Sequence, residues 1–192
     1  MASREPHGLV LSPEFDGTNG RIPPLRSIRP PGVLFSSSAF QEDVMPQATK
    51  LSPQALTNTA KALILAYNDK NWEKAKASMT PDFVYDEVAS GRKVTGSDAT
   101  LTLWKGWAEA FPDSKGSFQG AHVAEDGTVV LELTWKGTHQ GPLQTPKGPI
   151  AATGKRIEVR ACAIIEVAGE KARTQRHYFD MATLLQQIGV AG

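Results

Sequence analysis

The sequence predicts an α+β fold: a cone-shaped barrel in which a strongly bent, mixed or antiparallel sheet wraps around N-terminal helices, behind a disordered extension. Three observations predict it. Helical periodicity is confined to the first part of the patterned region, strand-length runs follow one another in the second part, and residues 1–46 carry neither pattern. Helices followed by successive antiparallel strands argue against a doubly wound sheet, in which the two would alternate. A bent sheet closed over helices leaves a cavity open at one end.

Residues 1–46 hold seven of the thirteen prolines, including Pro23-Pro24 and Pro30-Pro31, with Gly and Ser between them and no sustained apolar period. Such a segment buries too little apolar surface to offset the entropy of ordering, so it reads as a disordered extension. Glu5, Glu14, Asp16, Glu42 and Asp43 argue against a transit peptide. Met45 stands where the composition changes and is a candidate natural start, so the extension is set apart from one domain over residues 47–192.

Ser52 is placed to cap a first helix with Pro53 at its first position, and Leu56, Ala60, Leu63, Ile64 and Tyr67 recur at helical spacing. Asn68 to Asn71 break it, a short helix carries Trp72, Ala75 and Met79, and Asp82 to Asp86 read as a brief strand. After a glycine-bounded turn, Ser97 or Asp98 is placed to cap a third helix running to Ala110. Leu101, Trp104, Trp107, Ala108 and Phe111 form its stripe and Pro112 stops it. Strands are expected over 117–125, 129–139, 156–167 and 171–180, separated by Asp126-Gly127, a Pro/Gly-rich loop from Gly141 to Gly154, and Gly169. That loop has the length of a lid or rim. Val129, Leu131, Leu133 and Trp135 share one strand face, as do Ile157, Val159, Ala161, Ala163, Ile165 and Val167. A short last helix, Ala182 to Ile188, ends at Gly189.

Composition narrows the function. With 21 Lys+Arg against 20 Asp+Glu there is no basic field for nucleic acid. Cys162 is the single cysteine, which excludes an internal disulfide and fits a cytoplasmic setting. No apolar run has the length to span a bilayer, and no secretory signal pattern is present. The four histidines form no spaced pair with a carboxylate, so no metal is expected.

Candidate site residues follow from strand parity. Asp180 ends a strand-like run and shares a face with Tyr178 and Arg176. If that face is concave, desolvation raises the carboxyl's pKa and suits it to proton transfer near neutral pH; otherwise it caps the last helix. His139 shares parity with Leu131, Leu133 and Trp135, so it enters the cavity near the mouth or sits as a strand-end histidine, and a bulge at Gly137 would reverse it. Trp104, Trp107, Phe111 and Trp135 supply flat rings for an apolar small molecule, or an ordinary core stripe, and Tyr85 and Tyr178 offer hydroxyls.

Three motifs stand in order: Trp107-x-x-x-Phe111-Pro112-Asp113, Gly137-Thr138-His139-x-Gly141, and Tyr178-x-Asp180-x-x-x-Leu184-Leu185-x-Gln187-x-Gly189. Together they resemble the SnoaL-like polyketide cyclases, or ester cyclases, of the nuclear transport factor 2-like superfamily, from about Leu51 onward. The resemblance implies the cone-shaped barrel and a homodimer formed through the outer sheet face. It further implies a cofactor-independent intramolecular aldol cyclisation of an apolar polyketide ester, with Asp180 as acid/base and His139 or Tyr178 orienting a carbonyl. Members often carry His-Asp in the first strand, where this sequence has Tyr85-Asp86. Two alternatives stand beside the cyclase. One is an epoxide hydrolase or ketosteroid-isomerase-like enzyme, for which Asp86 and Glu87 are the available second acids. The other is a non-catalytic carrier of an apolar ligand.

Overall fold

In the computed structural model the described residues are 51–145 and 148–190. The expected disordered extension over residues 1–46 lies outside them. The elements are α1 (Pro53–Asn68), α2 (Trp72–Ala77), β1 (Met79–Glu87), a short 3-10 turn (Val88–Ser90), β2 (Arg92–Thr95), α3 (Ser97–Ala110), β3 (Lys115–Val123), β4 (Val129–Thr138), β5 (Arg156–Ala168), β6 (Lys171–Phe179) and α4 (Met181–Ile188). Six strands form one mixed sheet in the order β2-β1-β6-β5-β4-β3. All neighbours are antiparallel except β1 and β6, which run parallel. The fold is thus the expected α+β arrangement, with the sheet open between its edge strands β2 and β3.

Ser52 caps α1 as expected, its hydroxyl accepting from the Ala55 N–H at 3.2 Å. The apolar stripe of α1 buries Leu63, Ile64 and Tyr67 against the sheet. In β4 and β5 the alternation holds: Leu131 faces Ala163 and Trp135 faces Val159, and the register runs unbroken through Gly137 to Thr138. The inward set is buried, with Leu131, Ala163 and Ile165 at 0% exposure. Each such Leu or Ile contributes about 1.5–3 kcal/mol by leaving water. A second cluster gathers Phe111, Leu143, Ile157, Val159, Leu184 and Ile188 around the ends of α3, β5 and α4.

Four local features differ from the expected pattern or add to it. Met79 opens β1 and is buried there, so α2 stops at Ala77. The short polar strand β2 went unforeseen because its four residues carry no apolar alternation. Helix α3 is capped by Gly96 at φ 97° without a side-chain bond, while Asp98 instead accepts from Lys76 at 2.5 Å. Within the Gly141–Gly154 connection, expected as a lid or rim, Leu143 pairs with Ile150 and buries its side chain in the second cluster.

Candidate functional site

The parallel register of β1 on β6 decides what looks into the concave side of the sheet. Tyr85 stands beside Gln175 and Glu87 beside His177, and residues two apart on a strand share a face. All four side chains line one cavity and all four are buried, Glu87 at 0% and Gln175 at 1% exposure. About 70 Å³ of the cavity admits the centres of water-sized spheres, room for a few waters or one compact ring.

Hydrogen bonding fixes the proton positions along this row. The indole Nε1–H of Trp135 donates to His177 Nε2 at 3.1 Å. An indole nitrogen only donates, so Nε2 carries a lone pair and the proton of the neutral ring sits on Nδ1. Nδ1–H then donates to the Tyr85 hydroxyl oxygen at 2.9 Å, leaving the Tyr85 O–H to point at Glu87 Oε2, 3.4 Å away. Burial pushes His177 down to about 4, opposed by the Glu87 charge. Burial also raises the Tyr85 hydroxyl well above its usual 10, and the nearby Glu87 charge adds to that.

The two oxygens of Glu87 have different company. Oε1 accepts from Ser90 Oγ at 2.5 Å and from Arg92 Nε at 2.9 Å and Nη2 at 2.5 Å. Gly91, at φ 69°, turns the chain back so that β2 pairs Arg92 directly with Glu87. A buried carboxylate needs such partners, because an unpaired ion in this setting costs several kcal/mol. Oε2 faces the other way, accepting from Trp107 Nε1 at 2.7 Å.

The walls are aromatic. Tyr67 meets Trp104 and Trp135 edge-on, at centroid distances of 5.9 and 5.2 Å. Its hydroxyl, raised to about 12 mainly by burial, lies 2.9 Å from Ser114 Oγ. Lys70 lies 4.1 Å over the Tyr67 ring and donates to the Ser114 carbonyl at 2.8 Å. Among the described residues no group of three or more His, Cys, Asp or Glu side chains is placed to hold a metal ion. Nor is any described helix long and apolar enough to cross a membrane.

The family model for the SnoaL-like polyketide cyclases matches residues 57–188, more than two thirds of the chain. The chain belongs to this family. Solved structures agree on the fold. A protein assigned to the SnoaL-like polyketide cyclases of Jannaschia sp. CCS1 is 19% identical at TM-score 0.65, the match covering 74% of this chain and 99% of that one. AclR of Streptomyces galilaeus, assigned as a hydroxylase, is 22% identical at TM-score 0.62, covering 73% and 89%. An LEH-like epoxide hydrolase of Mycobacterium tuberculosis (M.tuberculosis) is 17% identical at TM-score 0.55, covering 70% and 90%. Among curated proteins none matches this sequence.

In this SnoaL-like chain the sequence motifs turn out to clamp the frame. Asp113 accepts from Thr138 N and Oγ1 at 2.6 and 2.7 Å, and Phe111 stacks on His139 with centroids 5.1 Å apart. A side chain at Gly141 would lie 2.2 Å from the Glu109 carbonyl oxygen. Gln187 accepts from Glu158 N and donates to Glu158 O, and Gly189 at φ 81° ends α4.

Of the predicted site residues, Tyr85, Trp104, Trp107, Phe111 and Trp135 line the cavity. Three candidates stand outside the cavity lining. Asp180 is exposed and caps α4, accepting from Thr183 N at 3.0 Å and from Thr183 Oγ1, and those bonds hold its carboxyl below the ordinary range. Tyr178 is 38% exposed on the outer face opposite Cys162, because β6 turns Gln175, His177 and Phe179 inward instead. His139 keeps its expected parity but is buried in the second cluster's contact with Phe111. It bonds Thr153 Oγ1 at 3.1 Å and stands outside the cavity lining. Glu87, Gln175 and His177 went unrecognised as a set. Their signal was alternation with Phe83 and Tyr85 on one strand and with Phe179 on the other.

Proposed function

We propose that this chain carries out cofactor-independent acid/base chemistry on a compact apolar carbonyl compound, of the cyclase or isomerase type, with Glu87 in place of Asp180. The observation that carries this reading is a fully buried carboxylate on the wall of an apolar cavity, joined to Tyr85 and His177. Oε1 is anchored by Ser90 and Arg92, so Oε2 is the working oxygen. It takes a proton from a carbon between two carbonyls, and the pair of electrons moves onto a carbonyl oxygen as an enolate. Tyr85, held only loosely to Glu87 at 3.4 Å, turns its O–H to that oxygen while His177 supports the hydroxyl from behind. The enolate carbon attacks a second carbonyl of the same molecule, and the alkoxide so formed recovers the proton from Glu87. Trp104, Trp107 and Phe111 fold the substrate and keep water out.

The substrate-independent part of this chemistry is proton removal. An α-methyl β-keto ester in deuterated buffer should exchange its acidic hydrogen faster with the wild-type protein, followed by proton NMR. Glu87→Gln should slow the enzyme's contribution by about 100-fold or more while circular dichroism stays native. Equal rates in the two proteins would sink the role given to Glu87.

A second reading, a carrier that binds and does no chemistry, draws support from the mutual satisfaction of Glu87, Tyr85 and His177. Saturable binding of the ester with no exchange would establish it. The reading includes a cytoplasmic homodimer formed through the outer sheet face, where Tyr178, Cys162 and Ile164 lie together. Sedimentation of a monomer at micromolar concentration would remove that part.

A further inference from the structure

Four polar side chains occupy the cavity floor, and one of them differs from the rest. Tyr85 bonds both Glu87 and His177, with Trp107 donating to Glu87 and Trp135 to His177. The Gln175 side chain, 1% exposed, has no hydrogen-bond partner among the described residues, and its Oε1 is shielded from solvent. It lines the same cavity one rung along from His177, beside Tyr85 on the neighbouring strand. An apolar residue would fill that position without leaving polar atoms unpaired, and Ile165, its partner in β5, does so on the next strand.

We propose that Gln175 selects the ligand, by pairing its amide with a group that both donates and accepts a hydrogen bond: a phenol or enol hydroxyl on a compact ring. A carboxamide presents one carbonyl acceptor and two N–H donors in a plane, so a hydroxyl bound beside it can accept from Nε2, or donate to Oε1 once the amide turns over about its last bond. Ile64, Trp104 and Leu184 in the rest of the lining are apolar or turn a ring to the cavity, and Tyr85 and Glu87 already have partners, so Gln175 is the lining side chain with its hydrogen-bonding capacity unused among the described residues. A site that leaves a buried polar group unpaired discriminates strongly against an isostere lacking the hydroxyl, whereas a purely apolar pocket discriminates weakly. The inference rests on the reading that the cavity takes a small molecule, and it requires no chemistry at Glu87.

The test uses para-cresol and para-xylene, which differ by a hydroxyl against a methyl group of nearly equal size. Calorimetric titration of the wild-type protein should show para-cresol binding about tenfold or more tightly, the effect of one buried hydrogen bond. Gln175→Met should erase or invert that preference. Its denaturation midpoint should be unchanged or higher, because an unpaired buried amide has been replaced by an apolar chain of similar length. In the wild-type protein, nitrogen-15 spectra should show the Gln175 side-chain amide shifting with para-cresol and staying put with para-xylene, a readout that needs no variant. The same cresol-to-xylene ratio in both proteins, an unmoved Gln175 amide, or a lowered midpoint for Gln175→Met would each overturn the assignment. If proton exchange at the keto ester persisted in that event, the proposal for Glu87 would stand alone. Binding of neither probe would overturn the assignment of Gln175 and leave Glu87 to the exchange test, and a lost preference without any exchange would keep Gln175 and remove Glu87.

Discussion

The junctions of α3 with β4 and of α4 with β5 contain the same kinds of residue as the floor made by β1 and β6, fastened to different things. At the junctions the polar side chains are tied mostly to backbone nearby: Asp113 to Thr138, Asp180 to Thr183, and Gln187 to both backbone groups of Glu158. On the floor they are tied to one another across strands, Tyr85 to His177 and Glu87 to Arg92 and Trp107, with Gln175 tied to none among the described residues. A carboxylate bonded to an exposed helix end is already fully employed in holding the chain. The Glu87 carboxyl instead lines an apolar cavity, with one oxygen held by Ser90 and Arg92 and the other turned to Trp107 and Tyr85. The motifs most visible in the sequence therefore hold the frame, and the proposed chemistry falls on residues that no motif announces.

The sharpest way to break this contrast is at the junction. Phe111→Ala should cost about 4 kcal/mol of stability, measured by urea unfolding, because it removes a ring buried at 2% exposure and stacked on His139. Intact stability with a loss of ligand binding would mean that the ring serves only the cavity it also lines and does not hold the junction.

The floor should declare itself through pH. Above pH 6.5 both the folded and unfolded chains hold His177 neutral, and between 6.5 and about 4 only the unfolded chain takes up the proton. Stability should fall by about 3 kcal/mol across that window from this residue and level off below it. His177→Gln should remove that component of the slope in denaturation measured from pH 7 to 4. An unaltered slope would show that the ring is not held neutral by burial.

The smallest effect is expected at Asp180. Asp180→Ala should lower the denaturation midpoint slightly through loss of the α4 cap and leave proton exchange at the wild-type rate. A hundredfold loss of exchange would return the chemistry to Asp180 and make the cap the active carboxylate.

Much of the frame was legible before any coordinates. Ser52 and Pro53 announced α1, and the Leu131/Leu133/Trp135 and Ile157/Val159 alternations announced the buried faces of β4 and β5, because those signals lie within a few residues of one another. Five of the proposed cavity residues were legible for the same reason: Trp104, Trp107 and Phe111 form a helical stripe, and Tyr85 and Trp135 follow strand parity. The polar floor was not. Strand β6 offers two interleaved sets, Gln175/His177/Phe179 and Arg176/Tyr178/Asp180, and the second holds the carboxylate that the family resemblance singles out. The sequence offers Glu87 only beside Asp86, its neighbour on the opposite face, as a second acid for the alternative enzymes.

By itself the sequence determined the order of helices and strands, the positions of their caps and turns, and which positions of β4 and β5 are core, since each is set by local period and propensity. Only the tertiary structure decided which face of β6 lines the cavity. That choice depends on parallel pairing with β1, which brings together Tyr85 and His177 across 92 residues of chain. A one-residue change in that register would turn Gln175 and His177 outward and Asp180 inward, because side chains alternate with period two.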